Sequence, residues 1–155
     1  MALSLHRLLV SLVLGLTALL NTATSTPTTL GPLKTAELSH KSGVLTVELA
    51  NSVAEQAQGL SDRPSLAPDR GMLFTFATDT MPSFWMKDMN FPIDMIWLSA
   101  AGEIKDLDTN VSTSTYPQTF APKTPVRYVL EVNANYAREH NLNLGDFIHF
   151  SALKE

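Results

Sequence analysis

A mainly β fold, an antiparallel jelly-roll-like sandwich or compact barrel with two short helices, is what this sequence predicts. Three features predict it. Short segments rich in aromatic and β-branched residues recur along the chain. Turn-forming residues punctuate them at close intervals. The regular alternation of strands with long helices that marks a parallel α/β sheet is missing, so short strands packed as two layers or closed on themselves are expected.

The stretch 44–49 alternates Val44, Thr46 and Glu48 with Leu45, Val47 and Leu49, a period of two that predicts a strand with the second set facing the core. Ser52 followed by Glu55 matches a capping box, so a helix of about two turns should start there and stop at Gly59. Further strands are expected at 72–76, 84–88, 93–99, 103–111, 126–132 and 147–151. Pro82, Asn90 with Pro92, Ala101-Gly102, the stretch 116–125 and Gly145-Asp146 separate them. A second helix fits 134–140, with Asn133 as its cap. There is no internal repeat and no sign of a second domain.

At the start of the chain, His6 and Arg7 precede an apolar run at 8–20, and a polar stretch follows at 21–29. That is the layout of a secretory signal peptide. The run is shorter than the roughly 20 residues that span a bilayer, so membrane contact is expected only through the precursor's signal segment. Ala23 and Ser25 suit cleavage after Ser25. The expected organisation is a signal peptide at 1–25, a Thr- and Pro-rich flexible leader at 26–36 and a single β domain at 37–155. The mature protein is then expected to be secreted, periplasmic or held in the cell envelope.

Composition limits the chemistry. The 155 residues are 45% hydrophobic and 17% charged, which suits one globular core. With no cysteine, disulfides, thiolate metal sites and cysteine nucleophiles are excluded. The net charge of −4 and the absence of any basic cluster argue against a nucleic-acid partner. Asp106-Leu107-Asp108-Thr109-Asn110 opens like a calcium loop, but Val111 stands where the loop needs glycine. His40, His140 and His149 lack metal-site spacing. Gly59-Leu60-Ser61-Asp62-Arg63 lacks the second glycine of a nucleophile elbow. Neither a metal nor a cofactor is expected, and no residue is assigned as catalytic.

The segment 84–98 carries the most chemistry. Read as a hairpin with the loop Met89-Asn90-Phe91-Pro92, it sets Lys87 opposite Asp94 and Trp85 opposite Ile96. Phe84, Met86, Met95 and Trp97 then share one face, while Trp85, Lys87, Asp94, Ile96 and Leu98 share the other. Two charges on an apolar face admit two readings: a structural ion pair that fixes register, or a polar spot in a pocket, joined by Arg63. Arg63, Trp85, Lys87, Asp88 and Asp94 are accordingly the candidate ligand-binding residues. The favoured function is a non-enzymatic binding or accessory module for a small anionic or amphipathic molecule, or for an envelope protein. Two alternatives stand beside it. One is a metal-independent hydrolase-like enzyme with Asp94 as base and Lys87 or Arg63 stabilising an anion. The other is an envelope module that docks a partner on an exposed apolar patch.

The segments Gly59-Leu60-Ser61-Asp62-Arg63, Gly71-Met72-Leu73-Phe74, Phe84-Trp85-Met86-Lys87-Asp88, Pro92-Ile93-Asp94, Val129-Leu130-Glu131 and Gly145-Asp146 occur in this order. Together they resemble the bacterial and archaeal family known as domain of unknown function 192. The resemblance implies a jelly-roll-like β domain, often exported, with no established activity. Asp88 stands where that family usually has Asn, and Asn135 and Asn141 stand where it usually has Gly. Because Asn tolerates left-handed backbone, positive φ is expected at Asn135 or Asn141.

Overall fold

Residues 31–151 are described by a computed structural model; the expected signal peptide and the first part of the leader, 26–30, lie outside the described residues. The elements in order are β1 (Thr35–His40), β2 (Gly43–Ala50), α1 (Val53–Gln58), β3 (Arg70–Thr80), β4 (Phe84–Trp85) and β5 (Ile93–Leu98). They continue with β6 (Ile104–Val111), β7 (Thr119–Phe120), β8 (Val126–Asn133), α2 (Tyr136–Glu139) and β9 (His149–Phe150). Seven strands, in the order β6-β5-β8-β3-β2-β1-β9, form one sheet that curls into a half-barrel, and β4 pairs with β7 as a separate ribbon. The fold is thus mainly β with two short helices, as expected.

The sheet is not wholly antiparallel. β2 and β3 run parallel, from Thr46 opposite Arg70 to Ala50 opposite Phe74. The chain leaves the end of β2, passes through α1 and returns to the start of β3, a crossover that sets the two strands in the same direction. Ser52 and Glu55 start α1 by exchanging bonds: the Ser52 hydroxyl accepts from the Glu55 amide at 3.2 Å, and the Glu55 carboxylate accepts from the Ser52 amide at 2.8 Å. Gly59 ends the helix at φ 50°.

Side chains alternate across the sheet, and both faces are covered. On one face Leu38, Leu45, Val47, Leu49, Leu73, Ile96, Leu98, Leu130 and Val132 form a core closed by α2 and Ile148. On the other, Met72, Phe74, Ile93, Met95, Trp97 and Val129 pack under Leu60, Met86 and the β4–β7 ribbon. The strand β5 is buried along its whole length, so the period of two is hidden there by apolar residues on both faces. Gly71 lets β3 approach β8, because a Cβ there would lie 2.8 Å from the Glu131 carbonyl oxygen.

The expected hairpin over 84–98 does not form. β5 is hydrogen-bonded to β6 on one side and to β8 on the other, which leaves no edge for the segment before it. The extended part of 84–88 is only Phe84–Trp85, paired with Phe120 and Thr119. A turn follows it, in which Asp88 adopts φ 56°. An Asp or Asn at this position serves the same left-handed turn. Asn135 and Asn141 take φ 72° and 56°, as the sequence predicts. The second helix is shorter than expected, and its cap is Asn135, which makes no side-chain capping bond. Asn133 lies at the end of β8 and donates its amide hydrogens to the Leu66 and Ala67 carbonyls instead. The strand β1 begins at Thr35, within the stretch read as leader.

Candidate functional site

Register places five residues in a row across the sheet: Glu48 on β2, Met72 on β3, Glu131 on β8, Met95 on β5 and Asp108 on β6. Cross-strand neighbours share a face, and this is the face covered by α1 and the β4–β7 ribbon. Three acids separated by methionines therefore underlie an aromatic layer. Each acid meets a different fate. Glu48 accepts both Arg63 guanidinium nitrogens, each at 2.7 Å, a bidentate geometry that suits arginine and carboxylate. The charged Arg63 holds the Glu48 carboxyl below its usual range, chiefly through these bonds. Asp108 accepts the Trp97 indole N–H at 2.8 Å.

Glu131 has no such partner. It is only 5% exposed, and none of the described hydrogen bonds involves its side chain. Every fully enclosed polar side-chain atom among the described residues does have a partner, so the Glu131 oxygens must reach open space. That space is a pocket of about 360 Å³ between α1 and the ribbon, with Glu131 among its lining residues. Phe74, Phe76, Phe84, Trp85 and Met89 supply its apolar walls, while Gln56 and Ser61 border it with polar groups. Burial pushes the Glu131 carboxyl up to about 8, against a smaller downward pull from Arg63. At neutral pH this side chain is mainly a neutral acid, able to donate one hydrogen bond.

Sequence and packing hold the pocket open. Phe84 stands edge-on to Phe74 at 4.8 Å and to Trp97 at 5.6 Å, the offset that aromatic quadrupoles prefer. Trp85 points the other way along the two-residue strand and is 55% exposed at the pocket rim, near Tyr116. At Gly59 an added Cβ would sit 3.3 Å from the Phe74 ring, so glycine keeps α1 close to the wall without filling it. The Gln56 side-chain amide donates to the Ala50 and Thr75 carbonyls, tying α1 to the ends of β2 and the middle of β3.

The five candidate residues do not come together as the sequence predicts. Trp85 lies on the pocket. Arg63 acts on Glu131 through its charge but is engaged by Glu48, and it lines a smaller neighbouring cavity of about 200 Å³ with Glu48 and Gly59. Lys87 and Asp88 form an exposed pair of their own at 3.8 Å. Asp94 is fully buried on the opposite face. It accepts three backbone N–H groups, from Asn110 at 2.7 Å, Asn135 at 3.0 Å and Ala137 at 2.9 Å. Two of these open α2, so Asp94 supplies from a distant strand the cap that Asn135 cannot. The Lys87–Asp94 pair therefore does not exist, because the hairpin register on which it depended is replaced by the pairing of β5 with β8.

Two histidines far apart in sequence also meet. His40 bonds the Tyr136 hydroxyl through Nε2 at 2.9 Å, and its ring lies 5.0 Å from that of His140. Burial, then the neighbouring His140, lowers the His40 pKa. Its Nδ1 accepts from the Ser42 amide at 3.3 Å, which fixes the proton on Nε2 and makes this a hydrogen-bonded core histidine.

A curled mixed sheet with an acid-floored aromatic pocket on one face defines the class: a small, mainly β domain with a pocket between its sheet and the elements that cover it. The family follows from the match over residues 35–150 to the model of domain of unknown function 192, described as "Uncharacterized ACR": the chain belongs to this family. It is similar to a crystal structure from Sinorhizobium meliloti 1021 provisionally assigned as a transcription regulator, with 31% identity, TM-score 0.72, and coverage of 79% of this chain and 98% of that one. It is also similar to a protein of unknown function from Novosphingobium aromaticivorans DSM 12444, with 27% identity, TM-score 0.66, and coverage of 76% and 84%. No curated protein matches.

Proposed function

We propose that the domain is an exported, non-enzymatic binding module that takes the apolar body of a small molecule into the pocket above Glu131. The observation that carries this reading is Glu131 itself. A buried carboxyl without a protein partner weakens a fold, and a leucine or glutamine would serve the sheet better. Its opening into an aromatic cavity supplies a reason for its presence, since small-molecule sites combine hydrophobic walls with a few aimed polar groups. The absence of turnover is favoured by the place of Asp94, which lies fully buried on the opposite face of the sheet, engaged by three backbone N–H groups and out of reach of a molecule in the pocket. Export is favoured by the apolar run at 8–20.

The regulator assignment of the Sinorhizobium structure is not extended to this chain. Arg63, Lys41, Lys105, Lys123 and Arg127 each pair with a carboxylate, and a dispersed, neutralised set of cations is a poor phosphate footprint. An envelope partner finds its support in exposed apolar side chains: Trp85 at the pocket rim, its neighbour Tyr116, and Met81.

Filling the mouth tests the proposal. Ala57 is exposed on α1 and lines the pocket, so Ala57→Trp should leave the fold intact while occupying the entrance. Indole titrated into the labelled domain should give saturable amide shifts confined to 56–61, 74–76 and 82–89. In Ala57→Trp the affinity should fall by about tenfold or more. Shifts scattered over the surface, or an unchanged affinity in the variant, would contradict the pocket assignment.

A further inference from the structure

We propose that the ligand of this pocket is a cation, a quaternary or tertiary ammonium on an apolar body, seated with its charge at the Glu131 carboxylate among the aromatic side chains that line the pocket. The inference rests on the binding reading above and adds the sign of the ligand's charge.

Among the described residues that line the cavity there is one titratable group, Glu131, and no lysine, arginine or histidine. An anionic ligand would meet a carboxyl and no positive charge. The nearest cation that acts on Glu131 is Arg63, but both of its terminal nitrogens are held by Glu48 at 2.7 Å, and it faces the neighbouring cavity. Lys87 is taken up with Asp88 at the surface. The row beneath the pocket repeats the sign, because Asp108 stands two strands from Glu131 and is bonded only to a neutral indole. The walls agree with the floor: an ammonium is attracted to aromatic rings, most strongly when desolvated, and Phe74, Phe76, Phe84 and Trp85 line the cavity.

Binding of a permanent cation then has a proton balance. Glu131 is mainly protonated in the empty domain, so seating the charge drives its proton to solvent, and up to one proton is released per ligand bound. Affinity must rise with pH until Glu131 is ionised without help. A neutral ligand that accepts a hydrogen bond from the protonated acid would show the opposite dependence.

The experiment compares phenyltrimethylammonium with its uncharged isostere tert-butylbenzene, neither of which titrates, by NMR titration at pH 6 and pH 9. With Glu131 ionising near 8, the cation should bind more tightly at pH 9 by a factor on the order of tens. Glu131→Gln should flatten that dependence and weaken the cation at pH 9 by a larger factor than it changes tert-butylbenzene. If tert-butylbenzene binds at pH 9 as tightly as the cation, the charge inference fails and the apolar pocket stands. Tighter binding of the cation at pH 6 than at pH 9 would also overturn it. If neither compound gives shifts at the pocket, the binding reading fails with it.

Discussion

Glu131→Gln is expected to leave stability nearly unchanged at pH 4 and to raise it by up to about 4 kcal/mol at pH 9. The sign follows from proton counts. The folded carboxyl ionises near 8 and the unfolded one near 4.5, so between these values the folded domain holds a proton that the unfolded chain has lost. The stabilisation is complete below pH 4.5 and disappears as pH rises through 8. Glutamine resembles the protonated acid in shape and does not titrate, so the variant lacks this slope. Urea unfolding of both proteins at pH 4, 7 and 9 isolates it, because every other titrating group is common to the two. Parallel profiles would mean that Glu131 ionises normally and that water reaches it freely.

Asp94→Ala is expected to destabilise the domain by about 3–5 kcal/mol. The substitution leaves three backbone N–H groups, those of Asn110, Asn135 and Ala137, without an acceptor in a buried position. Water can replace a lost partner at a surface, but this carboxylate is fully enclosed. Asp94→Asn keeps one acceptor oxygen and turns an amide donor toward backbone donors, so it should also lose stability. Hydrogen exchange at the three amides should accelerate together with the fall in urea midpoint. A stable Asp94→Asn protein, within 1 kcal/mol of the wild type, would contradict the capping role and return Asp94 to the list of possible catalytic bases.

These two acids show what the sequence carries and what it hides. Local signals were legible: the capping box at Ser52 and Glu55, the stop at Gly59 and the alternation in 44–49 all depend on neighbours in the chain, while the left-handed Asn135 and Asn141 were legible through the family resemblance, in which each stands for a glycine. The faces of β5 were legible too, for Met95 and Trp97 join Met86 and Phe84 in one cluster while Ile96 and Leu98 join the other. Pairing was not. A four-residue gap between 84–88 and 93–98 suits a hairpin, and nothing local says that β8, some 35 residues on, competes for β5 and wins. The wrong partner placed Asp94 beside Lys87 and hid its real one, the start of α2. β1 escaped notice because Thr35, Glu37 and Ser39 dilute its apolar residues; only its place between β2 and β9 makes it a strand.

Glu131 was in view and unused. A lone acid between Leu130 and Val132, on a strand whose neighbours on both sides are apolar, is the signal that could have found it. The sequence alone cannot tell an edge strand with Glu131 in water from a central one with Glu131 in a pocket. The sheet order settles that, since β8 lies between β5 and β3. Once it is central, the row of Glu48, Met72, Glu131, Met95 and Asp108 follows from register alone.

The account turns on the ionisation of Glu131, and its side-chain carboxyl carbon reports that directly. In the ¹³C-labelled domain, the Glu131 Cδ resonance followed from pH 3 to pH 10 should stay at its protonated position through neutral pH and move with a midpoint near 8. A midpoint near the ordinary glutamate value of 4.5 would contradict the account, for it would place a solvated carboxylate where a buried neutral acid at the floor of an apolar pocket is required.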